Sequence, residues 1–181
     1  MVGPGQLGRA LRESFPDAVA VTRDELDITD PQAVAAWPWQ DYASVINAAA
    51  FTAVDAAETP EGRQAAWAAN AVAPGHLAAA AREHGLTLVH FSSDYVFDGS
   101  TQVHAEDEPL SPLGVYGQSK AAGDLAVAAA PRHYILRTSW VVGDGANFVR
   151  TMARLADEGV SPSVVDDQFG RLTFTTDLAE A

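Results

Sequence analysis

The sequence predicts an α/β protein on a doubly wound parallel sheet, and three observations predict it. Short apolar runs alternate with alanine-rich helical stretches along the whole length. Three glycines, Gly3, Gly5 and Gly8, open the first helical stretch. Small polar residues, Asn47 and then Ser92-Ser93-Asp94, sit at the ends of two apolar runs, where open α/β sheets bind their ligands.

Taken in order, the glycines have GxGxxG spacing, and Leu7, Ala10, Leu11 and Phe15 behind them follow helical periodicity. A glycine loop entering a helix N-terminus cradles a pyrophosphate, because its backbone can approach closely and unpaired N–H groups face the anion. Such a loop normally follows a buried strand of about five or six residues. Only Met1 and Val2 precede it, so the first strand of a Rossmann-like sheet is expected to be missing. Ala18 to Thr22 reads as a strand ending at Arg23. An arginine there suits the 2′-phosphate of NADP, whereas an acid would suit NAD; Asp24 follows at once, so NADPH is favoured with NADH open.

Asp30 is placed to cap a helix whose first residue is Pro31. Val45 to Ala49 reads as a buried strand in which Asn47 needs a partner. Ala65 to Asn70 and His76 to His84 read as helix, separated by Pro74-Gly75, and Thr87 to Phe91 as the next strand. Tyr116 to Ala130 is a helix stopped by Pro131; Tyr134 to Thr138 is strand-like; Phe148 to Glu158 has helical spacing with Gly159 as its stop. Val164-Val165 reads as the start of a further strand, and Thr176 as the cap of a helix from Asp177. The prediction is one partial NAD(P)-binding domain over 1–181, with no complete second domain.

With 48% apolar residues the chain has an ordinary globular composition. It has no cysteine, which excludes disulfides and thiolate metal sites and points to a reducing compartment, read as the cytoplasm. A formal charge of −13 argues against nucleic acid or an anionic membrane as partner. No apolar run reaches the ~18 residues that span a bilayer.

The chemistry concentrates between His90 and Gly123. Tyr116 and Lys120 are four residues apart at the start of a helix, hence on one face, and Lys120 is the only lysine in the chain. With Ser93 at a strand end and a glycine loop for pyrophosphate, this set suits hydride transfer to a ketone. Tyr116 would donate the proton, Lys120 would lower the phenol pKa and hold the ribose, and Ser93 would position the carbonyl oxygen. Other constellations fail. The histidines lack HExxH spacing, no GxSxG elbow is present, and Asp24, Glu25 and Asp27 lack the rest of a calcium loop, so no metal is expected.

The stretches NAAAFTAVDAAE, SSDYVFDG, VYGQSKAAGD, RTSWVVG, NFVRTM and VVDDQFG together resemble the extended short-chain dehydrogenases/reductases, specifically those acting on dTDP-linked sugars. The resemblance covers essentially the whole chain. It implies NADPH-dependent reduction of the 4-keto group of a dTDP-linked 4-keto-6-deoxy sugar, as in the last step of dTDP-L-rhamnose synthesis, and a homodimer in the full-length parent. It implies that Gly5, Gln6 and Leu7 form the cofactor loop, that Asp27 and Ile28 lie near the adenine, and that Ala48 and Ala49 lie along the dinucleotide. Thr52, Val54, Ser93, Asp94, Tyr95 and Trp140 match positions that contact the nucleotide sugar, and Tyr116 and Lys120 match the catalytic pair. Ser93 stands where the family usually has threonine. The usual GxxGxxG would need glycine at position 2, where this chain has Val2, and the usual GxPT is replaced by Gly170-Arg171-Leu172-Thr173. The C-terminal region that completes the family's sugar site is expected to be missing. Two alternatives stay open: a non-catalytic reductase-like regulatory or binding subunit, and a related nucleotide-sugar epimerase or dehydratase.

Overall fold

A computed structural model describes residues 1–181. Its centre is a parallel sheet of β1 (Ser44–Asn47), β2 (Thr87–Ser93) and β3 (His133–Thr138), in that order. The sheet continues past β1 through single-residue bridges: Val2 pairs in parallel with Asn47 on one side and with Val21 on the other. Val2 accordingly donates to the Ile46 carbonyl and accepts from the Ala48 amide, both at 2.9 Å. The first strand, expected to be missing, is represented by the one paired residue Val2, and the strand expected over Ala18 to Thr22 is reduced to Val21.

Helices cover both faces. On one side lie α2 (Pro31–Ala36), α4 (Ala73–His84) and α5 (Val115–Ala128); on the other, α1 (Gln6–Ser14) packs against α7 (Thr175–Glu180). Strand alternation decides which residue meets which layer. Val45 and Leu88 join the main core with Leu77, Ala81 and Val127, while Ile46 and Phe91 point to the layer of Ala10, Leu11 and Ala179. None of the helices is long and apolar enough to cross a membrane.

Helix α3 (Pro60–Trp67) runs into α4 through a π-helical turn at Ala68–Val72. Pro74 does not break the helix as expected. Its ring has no N–H and crowds the carbonyl four residues back, that of Asn70, and the wider turn absorbs the conflict. The freed carbonyl faces α5 so closely that a Cβ at Gly123 would collide with it.

The C-terminal part differs from expectation. Val164 and Val165 are exposed and form no strand; β-branched residues need a partner strand, and none is near them. The strand in this region is β5 (Thr173–Phe174), which pairs with β4 (Val141–Val142) in a separate two-stranded sheet. Helix α7 starts at Thr175, one residue after an N-cap at Phe174, so Thr176 lies inside the helix and not at its cap. Asp30 does cap α2, accepting from Gln32 N at 2.8 Å.

Candidate active site

One cleft of about 1010 Å³ opens along the carboxyl edge of the sheet. Sixteen residues singled out from the sequence line it, Gly5, Gln6, Leu7, Arg23, Asp27, Ile28, Ala48, Ala49, Thr52, Val54, Ser93, Asp94, Tyr95, Tyr116, Lys120 and Trp140, whereas Asn47 is buried behind it against His90.

The glycine loop forms one end. Gly3 has φ +105°, a left-handed conformation open to glycine, and a Cβ there would lie 2.5 Å from the Ala48 carbonyl carbon and Ala49 nitrogen. A Cβ at Gly8 would strike the Gly3 carbonyl, so the loop and the first turn of α1 are nested. Gly5, the N-cap of α1, faces open space and gives the helix no side-chain cap. The first N–H groups of α1 are thereby left toward the cleft, the arrangement that accepts an anion.

Gln6 lines the cleft, and its side chain makes a further set of contacts. Its amide oxygen accepts from Gly143 N at 3.1 Å and Asn147 Nδ2 at 3.0 Å, and its Nε2 donates to the Ala146 carbonyl at 3.0 Å. The side chain is spent on lashing α1 to the loop that leads into α6 (Phe148–Asp157). Asn147, which sequence reasoning passed over, caps α6 by accepting from Arg150 N at 3.0 Å. An Asn-Phe junction before an amphipathic run was the available signal.

Arg23 stands at the same end, paired through Nε and Nη2 with Asp27 Oδ2, both at 3.1 Å. Thr29, through its hydroxyl and amide, and secondarily Arg23 hold the Asp27 carboxyl below the usual carboxylate range. Ile28 is buried, and its carbonyl meets His76 Nδ1 at 3.0 Å.

The other end carries the reactive groups. Ser93 closes β2, accepts from Tyr95 N and donates to Asp94 Oδ1, both at 3.2 Å. Tyr116 and Lys120 sit on the first turns of α5. The helix has Gly114 as N-cap with no side chain to cap it, and Glu58 reaches across to accept from Val115 N at 2.8 Å. Tyr95 meets Tyr116 edge to face, with ring centroids 5.6 Å apart. Burial, the largest cause, holds the Tyr116 phenol above its usual pKa; a Ser93 hydrogen bond opposes it, and Asp94 and Tyr95 reinforce it. Lys120 is 1% exposed and donates from Nζ to the Phe91 carbonyl at 2.6 Å. Burial lowers its pKa to about 8, with Asp124 pulling the other way. The Lys120 ammonium is directed at a backbone oxygen, and desolvation is the largest influence on the Tyr116 phenol.

Asn70, in the π turn, was not singled out. Its side chain bonds the Phe51 amide at 2.9 Å, the Phe51 carbonyl at 3.0 Å and Ser119 Oγ at 3.1 Å, pinning α5 and the Thr52 loop to one point. The far wall holds Trp140 and Phe148, edge to face at 5.0 Å. Trp140 has φ 42°, costly for a bulky residue and concentrated at functional sites.

The doubly wound sheet, with the glycine loop at its carboxyl edge and the Ser-Tyr-Lys set in one cleft, defines a Rossmann-like α/β protein. The chain belongs to the family described as "RmlD substrate binding domain", whose model matches residues 2–181. It is 44% identical over 190 residues to a dTDP-4-dehydrorhamnose reductase of Mycobacterium tuberculosis, covering 98% of this chain and 61% of that one. It is 45% identical over 180 residues to a probable dTDP-4,6-dihydroxy-2-methyloxan-3-one 4-ketoreductase of Streptomyces antibioticus, covering 97% and 60%. Among solved structures, a dTDP-4-dehydrorhamnose reductase of Bacillus anthracis in complex with NADP superposes with a TM-score of 0.91 at 36% identity, covering 99% of this chain and 66% of that one. The chain thus spans about three fifths of the length of these curated relatives.

Proposed function

We propose that this chain is the cofactor-binding and catalytic part of an NADPH-dependent reductase of dTDP-linked 4-keto-6-deoxy sugars, with dTDP-4-dehydro-L-rhamnose as substrate and dTDP-L-rhamnose as product. The observation that carries this reading is the convergence of Ser93, Tyr116 and Lys120 at the inner end of the cleft whose outer end is the open Gly5 cradle. The residues fit a dinucleotide. Gly5 leaves space where a pyrophosphate would lie, the first turn of α1 offers its amides, and Arg23 stands at the rim where a 2′-phosphate favours NADPH over NADH.

NADPH, when bound, supplies the hydride. The chain's own groups do the rest. Ser93 donates to the substrate carbonyl oxygen and fixes its orientation. Tyr116, kept protonated at neutral pH by burial, gives its proton to that oxygen as charge develops on it. Lys120 holds a positive charge behind the phenol, where it stabilises the phenolate left behind. Trp140, Tyr95, Thr52 and Val54 wall the sugar side and exclude water. The family likeness supports a homodimer of the full-length protein, and the cysteine-free composition supports a cytoplasmic location.

Titration of the chain with NADPH and NADH by nucleotide fluorescence tests the cradle: tighter NADPH binding that Arg23→Ala levels is expected, and absence of binding by either overturns the assignment. NADPH oxidation with the dTDP-4-keto sugar, run on the full-length protein, tests the reaction. Size-exclusion chromatography with light scattering reads the dimer.

A further inference from the structure

Behind Lys120 lies a polar cluster that the reaction above does not use. Asp124 follows Lys120 by one helical turn, so both side chains leave the same face of α5. The Asp124 side chain is 1% exposed, and its Oδ2 accepts from Arg137 Nε at 3.0 Å. Its Oδ1 has no hydrogen-bond partner. Facing Oδ1 at 3.9 Å is His90 Nε2, fully buried and equally without a partner.

The tautomer of His90 follows from its neighbours. Asn47 Oδ1 accepts from Ala49 N at 3.1 Å, so the amide nitrogen of Asn47 is the atom 3.0 Å from His90 Nδ1, and it donates. Nδ1 is then bare and the ring proton sits on Nε2, directed at Asp124. The ring is neutral, since burial and the Lys120 charge push its pKa to about 3.

The groups around Lys120 can be taken element by element. Its own helix offers Tyr116 and Asp124; β2 offers neutral His90 and the Phe91 carbonyl; β3 offers Arg137, which faces Asp124. Asp124 is the one anion in that set. A buried ammonium without a counter-charge gives up its proton, and a neutral amine serves neither a phenolate nor a charged cofactor.

We propose that Asp124 is a positioning residue that acts through Lys120: its carboxylate, held by Arg137 and faced by neutral His90, is the counter-charge that keeps the buried ammonium protonated. This rests on the reading of Lys120 as the lysine of the reductase site. The test does not depend on that reading, because Lys120 is the only lysine in the chain. Protein labelled with ¹³C-lysine therefore shows one lysine Cε signal, and its pH titration reads this amine alone.

The wild-type midpoint is expected near 8. Asp124→Asn should lower it by about one pH unit, a roughly tenfold loss of proton affinity. Arg137→Gln, which leaves the carboxylate and removes its competing cation, should raise it. Arg137 is partly exposed, so this variant carries the test even where Asp124→Asn does not fold. Unmoved midpoints, or shifts of the opposite sign, overturn the proposal. In the full-length protein the pH profile of kcat should move with the midpoint, while a purely structural role would lower kcat at all pH values alike. Shifted midpoints in a protein that turns over no dTDP-sugar would uphold the Asp124 assignment and sink the reductase reading instead.

Discussion

The two walls of the cleft are built in opposite ways. On the near wall, α5 buries eight of its fourteen residues, and its polar groups are tied to β2, β3 and the π turn. On the far wall, α6 buries none, and the segment after it leaves Val164, Val165 and Phe169 in solvent. The difference separates two tasks. Proton transfer needs groups fixed to within fractions of an ångström, and dense packing supplies that. The far wall keeps its apolar residues uncovered, as binding surfaces do.

The strongest way to break this contrast is Tyr116→Phe. It removes one oxygen from the near wall, and turnover of the dTDP-4-keto sugar by the full-length protein should fall about 10³-fold. NADPH affinity should stay within a few-fold, as fluorescence titration would show; near-normal turnover would end the assignment of Tyr116. Next is Leu88→Ala, fully buried under the same wall, with an expected loss of about 3 kcal/mol in urea unfolding.

Third is an acid response confined to the near wall. The folded pKa of His90, about 3, lies below its ordinary 6.5, so between those values the unfolded chain binds a proton that the native one refuses. Stability from this group is complete above pH 6.5 and is lost as pH falls toward 3, at up to about 1.4 kcal/mol per pH unit. His90→Gln should remove that slope between pH 6 and 4, measured as the difference in urea midpoints against wild type. Least affected should be Phe169→Ser on the far wall, at 91% exposure, with a stability change within about 0.5 kcal/mol. A cost there comparable with that of Leu88→Ala would mean that the two walls are not built differently.

The same division governs what could be read from the sequence. Near-wall elements carry local signals: the apolar run ending at Ser93, the Tyr116–Lys120 spacing and the stop at Pro131 all lie within a few residues of the feature they predict. Far-wall features do not. Thr173-Phe174 forms a strand only because Val141-Val142 lies beside it, some thirty positions earlier in the chain, and Val164-Val165 has the composition of a strand with nothing to pair with. Pro74-Gly75 looked like a break because local rules lack the option of a wider turn. The approach of His90 to Asp124 brings a strand residue to a helix residue in three dimensions, and no spacing rule reports it.

The Gln6 side chain gives the cleft a mechanical property. With its oxygen on Gly143 and Asn147 and its nitrogen on Ala146, it ties the glycine loop to the segment that leads into α6. Arg9, one turn further along α1, adds a second tie by donating from Nη2 to the Asp144 carbonyl. Gln6→Asn, one methylene shorter, should leave Arg9 as the remaining tie between them.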